Sequence, residues 1–426
     1  MRFTEPFDIT IVGGGMITEM QILPSIYHLQ RLGVINNIAI CALNTPPLKV
    51  IAQNETLKQA FPNQTFTPYP DIDNESEDKL FPDLYKEVIA GMDSRNIVFI
   101  ALPDHLHYPA IKFALEQDQH VLCVKPLTLK YAESKEIEQL AYQKGLFVGV
   151  EYHKRFDDRV GLARLKYRAG DLGEFRLGYA TLIEPWYYRD SNFQNWCTIE
   201  NSDMFSYIGC HYVDQVHLIT GLLPVQVAVY GMIEDYPNGN KGYLWTNAHV
   251  IWENKACLAV LNGMGYPNVG PGGNSQGLWM FTQGENDGGL IFHDDQYRGV
   301  KCSRISNGNQ SDDSLYSEPS PDYFKLVERG GKGLTPVGYG YRSIEILIET
   351  VHRVESSAAG PDAGESLEKR RQAIREIDEE GIIATPANSS FNELVMEAGR
   401  KSILSNGRDV VIEYGDPPRV RFKEYV

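Results

Sequence analysis

A lysine and a histidine, far apart in the chain, stand in settings that suit polar catalysis. Lys125 directly follows the apolar run 121–124, so it is expected at the end of a buried strand. His211 lies in a helical stretch, four residues after Tyr207 and three before Asp214. An imidazole titrates near neutral pH and can accept a proton, and an ammonium group can hold an oxygen on which negative charge develops. Together these groups can deprotonate a hydroxyl and stabilise the oxyanion that forms.

Each of these residues also has a structural interpretation. A lysine after a strand is usually solvated, and a lone helical histidine is usually a hydrogen-bonded core residue. Tyr207 lies one helical turn before His211 and so faces the same way, but packing is the default role of a helical aromatic. Asp214 fits best as a partner that orients a neighbour. His211, Asp214 and His217 fan over about a third of the helix circumference, so we predict no metal site.

A glycine-rich turn near the start of the chain predicts half of a dinucleotide site. The strand-like run 8–12 leads into the turn, which opens a helix. Backbone N–H groups at such a helix start can hold a pyrophosphate, and the helix dipole favours its negative charge. Thr18 stands where a third glycine is usual, so the helix is expected to stand slightly off the strand. A glycine turn without a nucleotide is the alternative. The candidate cofactor-binding residues of this turn are Gly13, Gly15, Met16 and Ile17.

The first part of the chain alternates short apolar runs with helical stretches. This pattern predicts a parallel sheet with helices on both faces, which we assign to a domain over residues 1–150. The polar, proline-bearing stretch 62–82 is expected to be a loop. The predicted strands are 9–12, 38–43, 97–102, 121–124 and 147–150, and the predicted helices are 21–32, 48–60, 108–117 and 132–144.

After about residue 150 the pattern changes to consecutive strands with short turns. This predicts a second, α+β domain over residues 151–426 with a mainly antiparallel sheet, whose final helix can pack back on the first domain. The charged segment 365–380 is expected to be a solvated helix inserted between two packed ones. The predicted strands are 175–183, 225–233, 245–252, 256–262, 279–282, 289–292 and 300–305; the predicted helices are 156–169, 204–221, 343–356 and 391–405; and 307–321 is a predicted loop.

Composition excludes several classes of partner. The 426 residues carry a formal net charge of −16, which argues against binding to nucleic acid or to an anionic membrane surface. The six cysteines show no CxxC spacing, so neither a zinc knuckle nor a redox pair is indicated. No apolar run is long enough to span a bilayer, and the amino terminus lacks the apolar core of a signal peptide. We therefore predict a cytoplasmic protein.

Three further clusters, taken with the glycine turn, carry a family resemblance. Leu102-Pro103-Asp104 with His107 follows a predicted strand, Lys125-Pro126 follows the next one, and His211 precedes Asp214 by three residues. In this order and spacing they resemble the Gfo/Idh/MocA oxidoreductases, the glucose–fructose oxidoreductase and inositol dehydrogenase group, over nearly the whole chain. The sequence departs from the family pattern at two positions. Val124 replaces the glutamate of a glutamate–lysine–proline triplet, and Tyr207 replaces an aspartate that is catalytic in many members.

The resemblance implies an α/β protein: an N-terminal Rossmann domain, which is a doubly wound parallel sheet, and a C-terminal α+β domain with a large, mainly antiparallel open sheet. It also implies an NAD(P)-dependent oxidoreductase that moves a hydride at a hydroxyl-bearing carbon of a sugar, glycoside or cyclitol. Assembly into a homo-oligomer, a dimer or tetramer, through the open sheet face is implied as well. The implied catalytic residues are Lys125, His211 and Tyr207, and the implied cofactor-binding residues are Leu102, Pro103, His107 and Lys125.

The choice of cofactor depends on the end of the second strand. An acidic residue there favours NAD, and a following arginine favours NADP. Asn44 is neither, but its amide can bind a ribose hydroxyl and no arginine follows. We predict NAD(H), with NADP(H) as the alternative.

Substrate contacts are predicted from two segments. The segment 151–155 resembles one that lines the family's substrate cleft, and Trp186 belongs to an aromatic loop whose rings can stack on a sugar. The predicted substrate-binding residues are Tyr152, His153, Arg155, Trp186 and Asp214.

Two other functions stay open at this point. One is a redox-neutral enzyme with bound NAD that cleaves or modifies a glycoside through a transient keto-sugar. The replacement of the family's aspartate by Tyr207 is the reason to consider it. The other is a non-catalytic, nucleotide-dependent sugar sensor, against which the presence of Lys125 and His211 argues.

Overall fold

The structure is a computed structural model that describes residues 5–269, 273–285, 288–295, 323–358 and 363–424. The predicted strand 300–305 and the predicted loop 307–321 lie outside the described residues. Within the described ranges, no helix combines the length and the apolar composition needed to cross a membrane.

The chain divides into two compact units, each built from more than one segment. The chain leaves unit 1 between His153 and Lys154, close to the predicted boundary, and returns to it at Phe324. Residues 324–388 thus group with unit 1, although the sequence pattern places them in the second predicted domain. Unit 1 consists of the described residues of Met1–Thr128, Ala132–His153 and Phe324–Asn388, and unit 2 of those of Leu129–Tyr131, Lys154–Tyr323 and Ser389–Val426.

Unit 1 contains a six-stranded parallel sheet with the strand order β3-β2-β1-β4-β5-β6. Its central strands are apolar and buried, as expected for a sheet covered on both faces. The strands are β1 (Phe7–Val12), β2 (Ile35–Cys41), β3 (Thr67–Tyr69), β4 (Ile97–Ile100), β5 (His120–Val124) and β6 (Val148–Glu151). The helices are α1 (Leu23–Arg31), α2 (Thr45–Gln53), α3 (Glu55–Ala60), α4 (Leu84–Ala90), α5 (His107–Glu116) and α6 (Tyr131–Lys144).

Two local predictions in this region were wrong. The stretch 62–82 contains β3, a three-residue strand that is too short to show a periodic pattern and that pairs with the end of β2. The predicted helix 48–60 is two helices, because Asn54 has an extended ψ of 104° and its side chain accepts a hydrogen bond from the N–H of Leu57. Asn54 thus begins α3 as a cap.

Residues 154–295 supply most of unit 2. The helix predicted at 204–221 begins with a π-helical turn, Phe205–Gly209, before it becomes regular. The helices are α7 (Asp158–Arg168), α8 (Phe193–Trp196) and α9 (Cys210–Thr220), and the strands are β7 (Glu174–Pro185), β8 (Pro224–Asp235), β9 (Lys241–Trp252), β10 (Cys257–Tyr266), β11 (Ser275–Gln283) and β12 (Gly288–Asp294).

The chain then adds a hairpin and three helices to unit 1. These elements are β13 (Lys325–Val327), β14 (Thr335–Val337), α10 (Tyr339–Ser357), α11 (Ala363–Glu380) and α12 (Pro386–Ser389). The charged segment forms α11, which buries Ala373, Ile374 and Ile377 and exposes its charged face. Glu355 of α10 binds both Arg95 and Arg370.

The last elements return to unit 2. They are α13 (Phe391–Ile403), β15 (Val410–Glu413) and β16 (Arg419–Phe422). Helix α13 packs on β8, where the N–H of Val229 donates to the hydroxyl of Ser402 at 2.9 Å. The resulting eight-stranded sheet has the order β12-β11-β7-β10-β9-β8-β15-β16, and its pairs are antiparallel except that of β7 with β10. The predicted fold class is thereby confirmed: a parallel Rossmann sheet followed by a large, mainly antiparallel sheet.

Candidate functional site

The glycine turn of unit 1 has the geometry of a phosphate cradle. Gly13 has a φ of +122°, and a Cβ there would lie 2.0 Å from the carbonyl oxygen of Ala101, so only glycine fits. A Cβ on Gly15 would meet none of the described atoms within 4 Å, which leaves the surface above the turn open to a ligand. Thr18 is buried and its hydroxyl donates to the carbonyl of Gly13 at 2.6 Å, so it closes the turn from behind. These features fit a bound dinucleotide.

The remaining residues predicted around the cradle take the following positions. Met16 and Ile17 start the helix and are half-buried, and a π-helical turn over Thr18–Ile22 leads into α1. Asn44 is the N-cap residue of α2, at the carboxyl end of β2. Within the part of the chain that the structure describes, its amide makes no capping hydrogen bond, which is compatible with the predicted ribose contact.

His107 links the segments that follow β4 and β5. Its ring is fully buried, with Nδ1 2.9 Å from the carbonyl oxygen of Pro126 and Nε2 2.8 Å from that of Leu102. Pro103 lies in the first of these segments, and Lys125 lies in the second, 9% exposed. His107 therefore holds together two predicted cofactor-binding segments through their main chains.

A polar cluster at the end of β6 involves a residue that the sequence reasoning missed. Glu151 is 3% exposed, and its Oε1 accepts hydrogen bonds from the Gln21 amide at 2.8 Å and the Ser343 hydroxyl at 2.6 Å. Its Oε2 lies 3.2 Å from Nδ1 of His153, whose ring stacks on that of Tyr339. Two sequence signals could have found it: Glu151 directly follows the apolar run 147–150, and it begins the segment 151–155 that carries the family resemblance. The neighbouring Tyr152 is 1% exposed.

The two predicted catalytic residues of unit 2, His211 and Tyr207, have different surroundings. His211 lies in the first turn of α9 and is 4% exposed. Tyr207 lies in the preceding π-helical turn, and its ring packs edge-on against Phe193, at 4.9 Å, and Trp196, at 5.6 Å. Tyr207 thus has the packing role that its residue type suggests, and its catalytic role stays a prediction.

Two predicted substrate-binding residues bind each other. Arg155 donates to both carboxylate oxygens of Asp214, at 2.7 and 2.5 Å, and Asn392 donates to the same carboxylate at 3.2 Å. Both side chains of the ion pair are 2% exposed. His217 bonds to the carbonyl of Leu222, and burial lowers its pKa. Asp214 and His217 therefore have other partners than a metal ion.

Trp186 is half exposed, but one face of its ring is covered. The guanidinium carbon of Arg189 lies 3.9 Å from the ring centroid. Arg189 is itself held by Glu234 at 2.5 Å and by the carbonyl of Met264. The ring face that Arg189 covers is therefore not available for the predicted stacking on a sugar.

A second polar cluster of unit 2 was not predicted. Ligand atoms of Asp157, His293 and Asp295 lie within 4.8 Å of one another, a spacing that a metal ion can use. However, Lys154 binds Asp295 at 2.6 Å, and Arg159 binds Asp157 at 2.6 Å. Burial acts to raise the pKa of Asp157, but the hydrogen bonds from His293 and Arg159 outweigh it and hold that pKa below its usual range. The cluster is a neutralised ion-pair network.

The predicted site residues thus fall into two groups. The convergence of Lys125 with His211 stays a prediction, because the two residues belong to different units. Unit 1 holds Gly13, Gly15, Met16, Ile17, Asn44, Leu102, Pro103, His107, Lys125, Tyr152 and His153, and unit 2 holds Arg155, Trp186, Tyr207, His211 and Asp214.

Comparison with known proteins identifies the first region. Residues 7–152 match the Gfo/Idh/MocA family model, described as an oxidoreductase family with an NAD-binding Rossmann fold. An uncharacterized oxidoreductase of Schizosaccharomyces pombe is 33% identical over 29% of this chain and 34% of its own length. Levoglucosan dehydrogenase of Pseudarthrobacter phenanthrenivorans is 26% identical over 30% of this chain and 33% of its own length. The chain thus spans about a third of the length of these curated relatives.

Solved structures resemble the chain over almost its full length. Myo-inositol 2-dehydrogenase of Lactobacillus plantarum has a TM-score of 0.64 and 17% identity, covering 96% of this chain and 100% of its own. Scyllo-inositol dehydrogenase of Lactobacillus casei, solved with NAD(H) and scyllo-inositol, has a TM-score of 0.57 and 17% identity, covering 96% and 99%. At such identities the likeness shows the fold. The resemblance inferred from sequence is confirmed for residues 7–152, which match the model of the Gfo/Idh/MocA NAD-binding Rossmann region.

Proposed function

We propose that this protein is an NAD-dependent dehydrogenase that oxidises a hydroxyl-bearing carbon of a sugar, glycoside or cyclitol. One observation carries the proposal. Lys125 follows β5 at the same carboxyl edge of the parallel sheet at which Gly13 ends β1. Ligands of open α/β sheets bind outside this edge. The inositol and levoglucosan dehydrogenases among the similar proteins support the substrate class.

Gly13, Gly15, Met16 and Ile17 would hold the pyrophosphate of the dinucleotide, and Asn44 its ribose. The bound nicotinamide supplies the acceptor for the hydride. An amide at position 44, with no arginine after it, supports NAD over NADP.

The protein's own groups manage the oxygen and the proton. Lys125 would hold the substrate oxygen and stabilise the negative charge that develops on it as the proton leaves. His211 would accept that proton, as the family resemblance implies, with Tyr207 providing a hydrogen bond in place of the usual carboxylate.

We further propose a cytoplasmic homo-oligomer, a dimer or tetramer, that assembles through one face of the eight-stranded sheet. The support is an apolar surface on this face, four of whose seven exposed members are aromatic. Its exposed members are Leu177, Tyr179, Tyr230, Met232, Phe281, Leu290 and Phe292. Sedimentation equilibrium of the wild type and of Phe292→Glu tests this: the variant should shift towards monomer.

The test of the activity uses Lys125→Ala with myo-inositol, scyllo-inositol and levoglucosan as probes. The wild type should reduce NAD with at least one probe, measured by the absorbance of reduced nicotinamide. Lys125→Ala should lower kcat by about 10²–10³-fold, because the developing oxyanion loses its cation. Lys58→Ala, which removes a half-exposed surface lysine of the same unit, is the matched control and should be unchanged.

Near-normal turnover of Lys125→Ala would remove the lysine from the mechanism. His211→Gln should lower kcat by about 10²-fold, and its failure to do so would remove His211. Release of an aglycone from a glycoside without accumulation of reduced nicotinamide would favour the redox-neutral enzyme instead. Tight binding of a sugar without any turnover would favour the sensor.

A further inference from the structure

Unit 1 contains a cavity that the proposed function does not use. It lies between α6, α11 and α12 and has a volume of about 280 Å³. Val148, the first residue of β6, is part of its lining. Because the cofactor is expected at the carboxyl ends of the parallel strands, the cavity lies at the opposite, amino edge of the sheet. It is therefore separate from the site proposed above.

Most of the cavity wall is apolar. Ala141 comes from α6, Ile374 from α11 and Pro386 from α12, and Leu146 and Phe147 lie between α6 and β6. Small-molecule sites combine such a wall with a few polar groups, and their volumes start at roughly 300 Å³. This cavity thus has room for the hydrocarbon body of a small ligand, and its polar groups determine which ligand is preferred.

Three charged side chains line the cavity, and two of them are bound by a residue of opposite charge. Lys135 binds Glu138 at 2.5 Å, and Glu368 binds Arg375 at 2.7 Å. Asp378 is the third. Over the ranges that the structure describes, no cationic side chain lies within ion-pair distance of its carboxylate. The cavity therefore contains an acid whose charge the protein does not balance by direct contact.

The surroundings of Asp378 confirm this shortage of positive charge. Its Oδ1 accepts a hydrogen bond from the hydroxyl of Thr385 at 2.5 Å. Burial raises the pKa of the carboxyl to about 6, which Glu138 and Glu379 reinforce and which the Thr385 bond and Lys135 oppose. The carboxyl is still ionised at pH 7.5. An ammonium group that entered the cavity would therefore meet a partly desolvated countercharge, where ionic hydrogen bonds are strong.

We propose that this cavity binds a small organic ammonium ion, with its hydrocarbon body on the apolar wall and its ammonium group on Asp378. A neutral compound of the same shape gains only the apolar contacts and binds more weakly. An anion is repelled by Asp378 and by the neighbouring Glu138. The inference is independent of the proposed function, because none of the predicted cofactor-binding, catalytic or substrate-binding residues lines the cavity.

The test compares two probes that share a six-membered ring and differ in charge, cyclohexylammonium and cyclohexanol. Saturation-transfer difference NMR of the full-length protein, titrated with each probe at pH 7.5, gives the Kd. We expect a Kd of about 1 mM for cyclohexylammonium and a value at least about tenfold higher for cyclohexanol. Dehydrogenase activity is not needed for this readout.

Asp378→Asn is the sharpest variant, because it keeps the shape of the side chain and removes its charge. It should weaken the binding of cyclohexylammonium at least about tenfold and leave that of cyclohexanol unchanged. Asp73→Asn, which removes an exposed acid of the same unit, is the matched control and should bind both probes as the wild type does.

The pH dependence separates the ionic contact from a change of shape. The probe amine stays charged at pH 5, but Asp378 is then mostly protonated, so the wild type should bind cyclohexylammonium about tenfold more weakly at pH 5 than at pH 7.5. Asp378→Asn should lose this dependence.

Three results would overturn the inference. The first is the absence of binding of cyclohexylammonium to the wild type at about 20 mM. The second is equal affinity of the wild type for both probes. The third is equal affinity of the wild type and Asp378→Asn for cyclohexylammonium at pH 7.5. None of them bears on the proposed dehydrogenase activity.

Discussion

This protein buries two carboxylates, Glu151 in unit 1 and Asp214 in unit 2, almost equally deeply. The two differ in the chemistry of the groups that bind them. Asp214 has both oxygens bound by the guanidinium of Arg155. Glu151 is held by an amide, a hydroxyl and an imidazole. In the first arrangement a guanidinium group balances the charge of the carboxylate, and in the second the carboxylate is hydrogen-bonded by uncharged groups and lies beside an imidazole. The comparison teaches that burial of an acid does not identify a site; the chemistry of its partners does.

The same comparison bears on the predicted substrate contacts Arg155 and Asp214. Arg155 and Asp214 were predicted as substrate contacts, yet each is the principal partner of the other. His153 is the predicted contact whose partner, Glu151, orients it instead of neutralising it.

The largest expected effect on stability follows from breaking the ion pair between Arg155 and Asp214. Asp214→Ala should lower the free energy of unfolding by about 3–5 kcal/mol, because the buried guanidinium of Arg155 loses its countercharge. Urea denaturation followed by circular dichroism measures this. Asp171→Ala, which removes one partner of an exposed ion pair in the same unit, should cost less than about 1 kcal/mol. A loss below about 1 kcal/mol for Asp214→Ala would contradict the structural role of the pair.

A smaller effect on stability is expected at Asp378, an acid of unit 1 whose hydrogen bonding does not offset its burial. Burial raises the pKa of Asp378 to about 6, the hydrogen bond from Thr385 opposes this, and Glu138 adds to it. The folded state therefore binds the proton more tightly, so this acid's contribution to stability is full below about pH 4 and is lost as the pH rises through 6. Asp378→Asn should raise the free energy of unfolding by about 1–2 kcal/mol at pH 7.5, after allowance for solvent screening, and by almost nothing at pH 4.

Asp73→Asn, at an exposed position of the same unit, is the control and should change stability by less than about 0.5 kcal/mol at either pH. Equal effects of Asp378→Asn at both pH values would show that Asp378 does not titrate in this range.

The smallest effect, near zero, concerns the second neutralised cluster of unit 2. Lys154 and Arg159 already occupy Asp295 and Asp157, so neither EDTA nor a twofold excess of Zn²⁺ should move Tm by more than about 1 °C. Differential scanning fluorimetry measures this. A rise of several degrees with zinc that disappears in His293→Gln would show that the cluster binds metal after all.

The fold was largely predictable because its signals are local. Short apolar runs and helical periods predicted the strands β1, β2, β4, β5 and β6, and a glycine turn predicted the cradle at Gly13. Strand β3 was missed because three residues are too few for a pattern. The grouping of 324–388 with unit 1 was missed because long-range packing leaves no periodic signal.

The site was less predictable for a physical reason. Residue type and position predicted Lys125, and the family resemblance implied His153, but the Glu151 contact of His153 depends on bonds that Glu151 makes across the fold. Ser343, for example, lies 192 positions from Glu151 in the chain. Likewise, the aromatic neighbours of Tyr207 come from α8, and nothing near Tyr207 in sequence predicts them.

Unit 1 is built from segments that are far apart in the sequence, which limits how it can fold during synthesis and how it can be produced as a fragment. Residues 7–152 match a family model, yet a fragment cut after His153 would lack Ser343, which binds Glu151, and Glu355, which binds Arg95 and His120. During synthesis unit 1 therefore cannot be completed until the ribosome has passed Asn388. Unit 1 is compact in the folded protein, but its segments are not contiguous in the sequence. No single truncation of the chain can therefore isolate it.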